Sequence, residues 1–94
     1  MAKVIEKPKT FEQRIRETLV NGLSTAGIKA QIEFEPIRGT KLRRITLLSK
    51  QFEKLRPSER QDLVWRIMSQ EFTPQEQLQI SMILTLAPRE LEGW

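Results

Sequence analysis

The sequence predicts an α+β domain with the element order α-β-β-α-α-β-α, built as a three-stranded mixed sheet with its helices packed on one face. Three observations lead there. Apolar residues recur at helical spacing in two long segments, alternate with period two in three others, and are separated by turn residues. A chain of 94 residues supports one domain and one modest core. So short a chain cannot cover both faces of a three-stranded sheet, and the helices are expected on one side.

The elements follow in order. Residues 1–9 read as a flexible charged tail, and residues 10–94 as the folded domain. Thr10 and Gln13 have the spacing of a capping box, after which Phe11, Ile15, Leu19 and Leu23 mark a helix over Phe11 to Ala26; Gly27 suits its stop. Ile28, Ala30, Ile32 and Phe34 then alternate with polar residues as a half-buried strand ended by Pro36. Arg38 to Lys41 form a turn, and Leu42 to Leu48 a second strand, antiparallel to the first, in which Arg44 can pair with Glu33 or Glu35. Ser49 is placed to cap a short helix through Lys54, with Phe52 and Leu55 inward. Pro57 suits the first turn of the next helix, and Ser58 with Gln61 offers a capping box one residue later. Leu63, Val64, Ile67 and Met68 form that helix's apolar stripe, with Trp65 expected in the core. After a turn at Thr73 to Glu76, Leu78, Ile80, Met82, Leu84 and Leu86 alternate with Gln79, Ser81, Ile83 and Thr85, predicting a third strand with the first set inward. Pro88 opens a short terminal helix, Arg89 to Leu91, before Gly93 and Trp94.

Composition excludes much chemistry. There is no cysteine and no histidine, which removes disulfides, thiol nucleophiles, imidazole acid–base catalysis and the softer metal ligands. Ser49 and Ser58 read as caps, and no Gly-rich phosphate loop or metal cluster is visible, so neither an enzyme nor a cofactor is expected. A small domain without cysteine is expected in the cytoplasm. Lys3, Lys7 and Lys9 have no apolar segment behind them, so no secretion signal is expected; no run of about 20 apolar residues predicts a membrane span.

The net charge of +4 is unevenly spread. Residues 38–66 carry +6, whereas residues 1–37 carry +1 and residues 67–94 carry −3. The helix–turn–helix elbow at 49–66 therefore offers Lys50, Lys54, Arg56, Arg60 and Arg66 to an acidic partner. Charge alone equally describes a surface whose side chains face water.

The run LSKQFEKLRPSERQDLVWRIM followed by LQISMILTLAPRELEGW resembles the BolA family. Ser49 and Phe52 match its Ser-x-x-Phe, Arg60 matches the Arg of an Arg-His pair, Val64 and Trp65 match the helix core, and Leu84 to Pro88 match the end of its last strand. The resemblance implies a type II KH-like fold, which agrees with the pattern read above. It also implies a regulatory or adaptor role, with a monothiol glutaredoxin or other acidic protein as partner. Family members share a [2Fe–2S] cluster with that partner through a histidine, but at the corresponding position this chain has Gln61. The hairpin loop Pro36 to Lys41 supplies neither a second histidine nor a cysteine. An amide is a poor iron ligand, so docking without cluster ligation is expected. The KH likeness offers DNA or RNA as the alternative partner, through the same basic residues. KH modules, however, clamp a backbone with Gly-x-x-Gly, where this chain has Lys54-Leu55-Arg56-Pro57-Ser58.

Overall fold

Helix α1 spans Phe11–Thr25, and both of its ends are fixed by local chemistry. The Thr10 hydroxyl accepts from the Gln13 amide at 3.1 Å, and the Gln13 side chain accepts from the Thr10 amide at 2.9 Å. At the other end Gly27 takes φ 77°, while the amides of Gly27 and Ile28 donate to Ser24 and Leu23 at 2.9 and 2.8 Å. These two bonds close the helix and turn the chain toward the sheet. The computed structural model describes residues 9–92, so the expected tail, bar Lys9, together with Gly93 and Trp94, lies outside the described residues.

The strands are β1 (Gln31–Pro36), β2 (Arg43–Leu48) and β3 (Ile80–Leu86). A short 3-10 helix (Lys50–Lys54), α2 (Pro57–Glu71) and a single turn α3 (Pro74–Gln77) connect β2 to β3, and α4 (Pro88–Glu92) follows. The sheet order is β1-β2-β3, with β1 antiparallel and β3 parallel to β2. This is the expected α+β class with a mixed sheet. The hairpin register pairs Glu35 with Arg44, and their side chains form an ion pair on the open face.

One expectation fails, and its cause is a single residue. Along β2 and β3 the register shifts between Arg43 and Arg44, so that Arg43 faces Ile80 but Arg44 faces Met82. Ser81 is the extra residue, and its hydroxyl donates to the Arg43 carbonyl at 3.2 Å. A bulge of one residue reverses the parity of everything beyond it. Ile83, Thr85 and Ala87 are therefore buried, whereas Met82 is 45% exposed and Leu84 and Leu86 only half-buried. Met82 and Leu84 thus face away from the core they were expected to join. Leu78, ahead of the strand, is 75% exposed.

The core lies between the sheet and α1 with α2. Ile15, Leu19 and Leu23 from α1 meet Ile45 and Leu47 from β2, Val64 and Met68 from α2, and Phe52. Ile32, Ile67 and Ile80 are buried as expected, while Phe11, Phe34 and Trp65 pack partly buried against the same cluster. α1 approaches α2 closely at Gly22, where an added Cβ would lie 2.5 Å from Ile67 Cγ2. Replacing a helix glycine normally stabilises by roughly 0.5–1 kcal/mol. Here Gly22→Val is expected to destabilise by about 1–3 kcal/mol through overpacking, measured by urea unfolding. A stabilised variant would contradict this helix contact.

Side chains occupy the outer edge of β3 and touch that of β1 at one point. Ile37 donates to Leu42 across the hairpin, so the polar groups of Ile32, Phe34 and Pro36 point to the outer side of β1. Arg16 donates to the Ile32 carbonyl at 3.3 Å, and Pro36 has no amide to offer. On β3 the outward carbonyls of Ile83 and Thr85 accept from Gln61 at 2.7 Å and Arg60 at 3.1 Å. An edge so occupied is a poor template for another strand.

Candidate functional site

The elbow starts where β2 ends. Ser49, 3% exposed, donates its amide to the Leu86 carbonyl at 2.9 Å, while its hydroxyl accepts from the Gln51 amide at 3.2 Å. Its position therefore ties the short 3-10 helix to the end of β3. Phe52 is fully buried beneath it. Leu55 and Arg56 are extended, and α2 begins at Pro57 with the Glu59 carboxylate accepting from the Arg56 amide at 3.0 Å. The helix start thus rests on Arg56 and Glu59, not on the Ser58 and Gln61 spacing.

Of the five basic residues expected at the elbow, three lie exposed within its seven residues 50–56. Lys50, Lys54 and Arg56 are exposed and have no carboxylate within ion-pair distance among the described residues. Arg66 is exposed too, but it lies nine residues into α2, about 14 Å along the axis from Pro57. Asp62 stands one turn before it on the same helix face. Arg66 is therefore separate from the elbow.

Arg60 is not a surface residue at all. It is 4% exposed. Its guanidinium donates to the carbonyls of Leu55 and Thr85, both at 3.1 Å, and to Glu90 Oε1 at 2.7 Å. It also lies over the Phe52 ring, 5.7 Å from the centroid. One side chain thereby fastens the elbow turn, the edge of β3 and α4 to each other. Glu90 completes the junction by accepting from the Ala87 amide at 2.8 Å.

The Arg60 hydrogen bond, with help from the Ala87 amide, holds the Glu90 carboxyl below its usual value of 4.5. Glu76 is lowered as well, mainly by the Thr73 amide and then by Arg14. For a carboxylate with a depressed folded pKa, the stabilisation is present above the unfolded value and is lost as pH falls through the folded one. Stability is therefore expected to hold above pH ~4.5 and to decline below it. Glu90→Gln should make that decline shallower in an acid titration followed by circular dichroism. An unchanged acid limb would contradict the Arg60–Glu90 contact.

Gln61 is half-buried, with both ends of its amide engaged. Its nitrogen donates to Ile83 at 2.7 Å, and its oxygen accepts from the Trp65 indole at 3.1 Å. Among the described residues, no three or more His, Cys, Asp or Glu side chains gather as a metal would require. No helix among them is long and apolar enough to cross a membrane.

Sequence reading missed Lys29. Its amide lies 3.3 Å from the Gln51 side-chain oxygen, and it shares a shallow concavity of about 390 Å³ with Leu48, Lys50 and Pro88. Twenty residues separate it from the elbow in sequence, and only the sheet register brings it there. The surface is mixed in sign, because exposed Glu53 and Glu59 stand among the cations. The turn also offers few backbone donors: the amides of Leu55 and Arg56 bond to Phe52 and Glu59, and Pro57 has none.

No protein-family model matches this chain, and no match is found among curated proteins.

Proposed function

We propose that this protein is a non-enzymatic, BolA-like adaptor that docks an acidic protein partner through Lys50, Lys54 and Arg56, with Lys29 beside them. The observation that carries the reading is three exposed cations, without an ion-pair partner among the described residues, on a turn whose other side is fixed by Arg60. Holding such groups on a rigid turn reduces the ordering cost of binding. A monothiol glutaredoxin is the partner that the resemblance suggests. With its amide committed to Ile83 and Trp65, Gln61 leaves iron ligation to the partner.

A protein suits this surface better than a polynucleotide. Nucleic-acid affinity grows with the number of phosphates neutralised, and here Glu53 and Glu59 oppose it. The committed amides of Leu55 and Arg56, with the missing amide of Pro57, also reduce the backbone donors that the turn offers a phosphate.

Equilibrium titrations with a cluster-loaded monothiol glutaredoxin, duplex DNA and single-stranded RNA test this reading. The glutaredoxin is expected to bind with its visible cluster spectrum unchanged, and Lys54→Ala/Arg56→Ala should weaken that binding by about tenfold. Steeply salt-dependent binding of DNA or RNA, lost in the same variant, would assign the elbow to nucleic acid instead. Unchanged binding in the folded variant would return these charges to an ordinary solvated surface.

A further inference from the structure

The open face of the sheet divides into two unlike halves. Reading across the registers, its three rows are Gln31–Leu48–Leu86, Glu33–Thr46–Leu84 and Glu35–Arg44–Met82. The β1 column is polar and exposed, with two carboxylates, one of which is engaged by Arg44. The β3 column is wholly apolar and continues onto Leu48. Strand β3 thus carries apolar side chains on both faces, with Thr85 the polar exception on the core side, as strands in parallel sheets covered on both sides do. The core uses Ile83 and Thr85 on one face and leaves Met82, Leu84 and Leu86 on the other.

We propose that this face is a second docking site, for an amphipathic helix of another protein whose apolar stripe is flanked by lysine or arginine. The apolar stripe seats on Met82, Leu84 and Leu86, and a flanking cation reaches Glu33, which has no ion-pair partner among the described residues. Size favours a helix. The apolar β3 column, with Leu48, Thr46 and Arg44 beside it about 5 Å away on β2, makes a strip roughly 10 Å wide and 20 Å long with Arg44 at one end, close to the dimensions of three to four helical turns. A second copy of this chain would need to bury about 800 Å² on each side for a stable dimer, several times the area of that strip. Strand addition is disfavoured at β3, where Arg60 and Gln61 take the outward carbonyls. The site is on the sheet face and is distinct from the elbow cations.

Two synthetic peptides test it by nitrogen-15 NMR: a Leu/Lys amphipathic helix, and a Leu/Glu helix with the same apolar stripe. The Leu/Lys peptide is expected to bind and shift the amides of Glu33, Met82, Leu84 and Leu86, although the protein's net charge is +4. The Leu/Glu peptide should bind this face about tenfold more weakly. Met82→Gln/Leu84→Thr should weaken the Leu/Lys peptide by about tenfold, with folding checked by circular dichroism. Glu33→Lys, at an exposed position, should reverse the preference between the peptides and serves even where the double variant fails to fold. Equal affinity for both peptides, shifts confined to the elbow or to the helices, or no effect of Glu33→Lys would overturn the proposal. So would a concentration-dependent dimer in sedimentation that Met82→Gln/Leu84→Thr abolishes, since the occupant would then be a second copy.

Discussion

Arg60→Ala is expected to cost about 3–5 kcal/mol of stability, a large share of the roughly 5–15 kcal/mol available to a domain. The substitution would strip donors from the carbonyls of Leu55 and Thr85 and remove the partner of Glu90 in one change. Arg60→Lys should recover only part of the loss, because one ammonium cannot reproduce a planar fork directed at three acceptors. Urea unfolding followed by circular dichroism measures both. A loss under about 1 kcal/mol for the alanine variant would mean that the guanidinium is not buried as described.

Phe52→Ala should be comparably damaging, at about 3–5 kcal/mol, because a fully buried ring is removed from beneath the elbow. Since Arg60 lies over that ring, the two substitutions share one structural unit. Their effects in the double variant should fall short of the sum by about 0.5–3 kcal/mol. Additivity within error would indicate that the two side chains stabilise the elbow independently.

Much of the fold was legible because its signals are local. The Thr10–Gln13 box, Gly27, Pro36 and Pro57 each act through backbone geometry within a few residues, and each stands where its chemistry requires. That Arg44 pairs with Glu33 or Glu35 followed from the alternation of two strands joined by a short turn, and the hairpin register selects Glu35. The phase of β3 was not legible. Its even positions are all apolar and its odd ones include Gln79, Ser81 and Thr85, so the alternation pointed to the opposite phase from the one that the Ser81 bulge sets, which turns Met82 and Leu84 outward.

The site was legible in its location but not in its division of labour. Arg56 and Arg60 are both arginines flanking the same turn, four residues apart, yet one is exposed and the other is 4% exposed. What separates them is the position of three acceptors, two of which come from residues 85 and 90. Those contacts depend on where β3 and α4 return, and no local pattern encodes that. Lys29 joins the elbow, and Arg66 leaves it, for the same kind of reason: sheet register and helix length set the distance, not proximity in sequence.

Lys50, Lys54 and Arg56 are proposed to form one docking surface from which Arg66 is excluded. Stopped-flow association of single alanine variants with a monothiol glutaredoxin at low salt tests it most directly. Each of Lys50→Ala, Lys54→Ala and Arg56→Ala is predicted to slow association by about two- to fivefold, with the difference fading as salt rises. Arg66→Ala is predicted to associate at the unmodified rate. Equal slowing by Arg66→Ala would reduce the effect to net charge, and no slowing by any of the other three would contradict the docking surface itself.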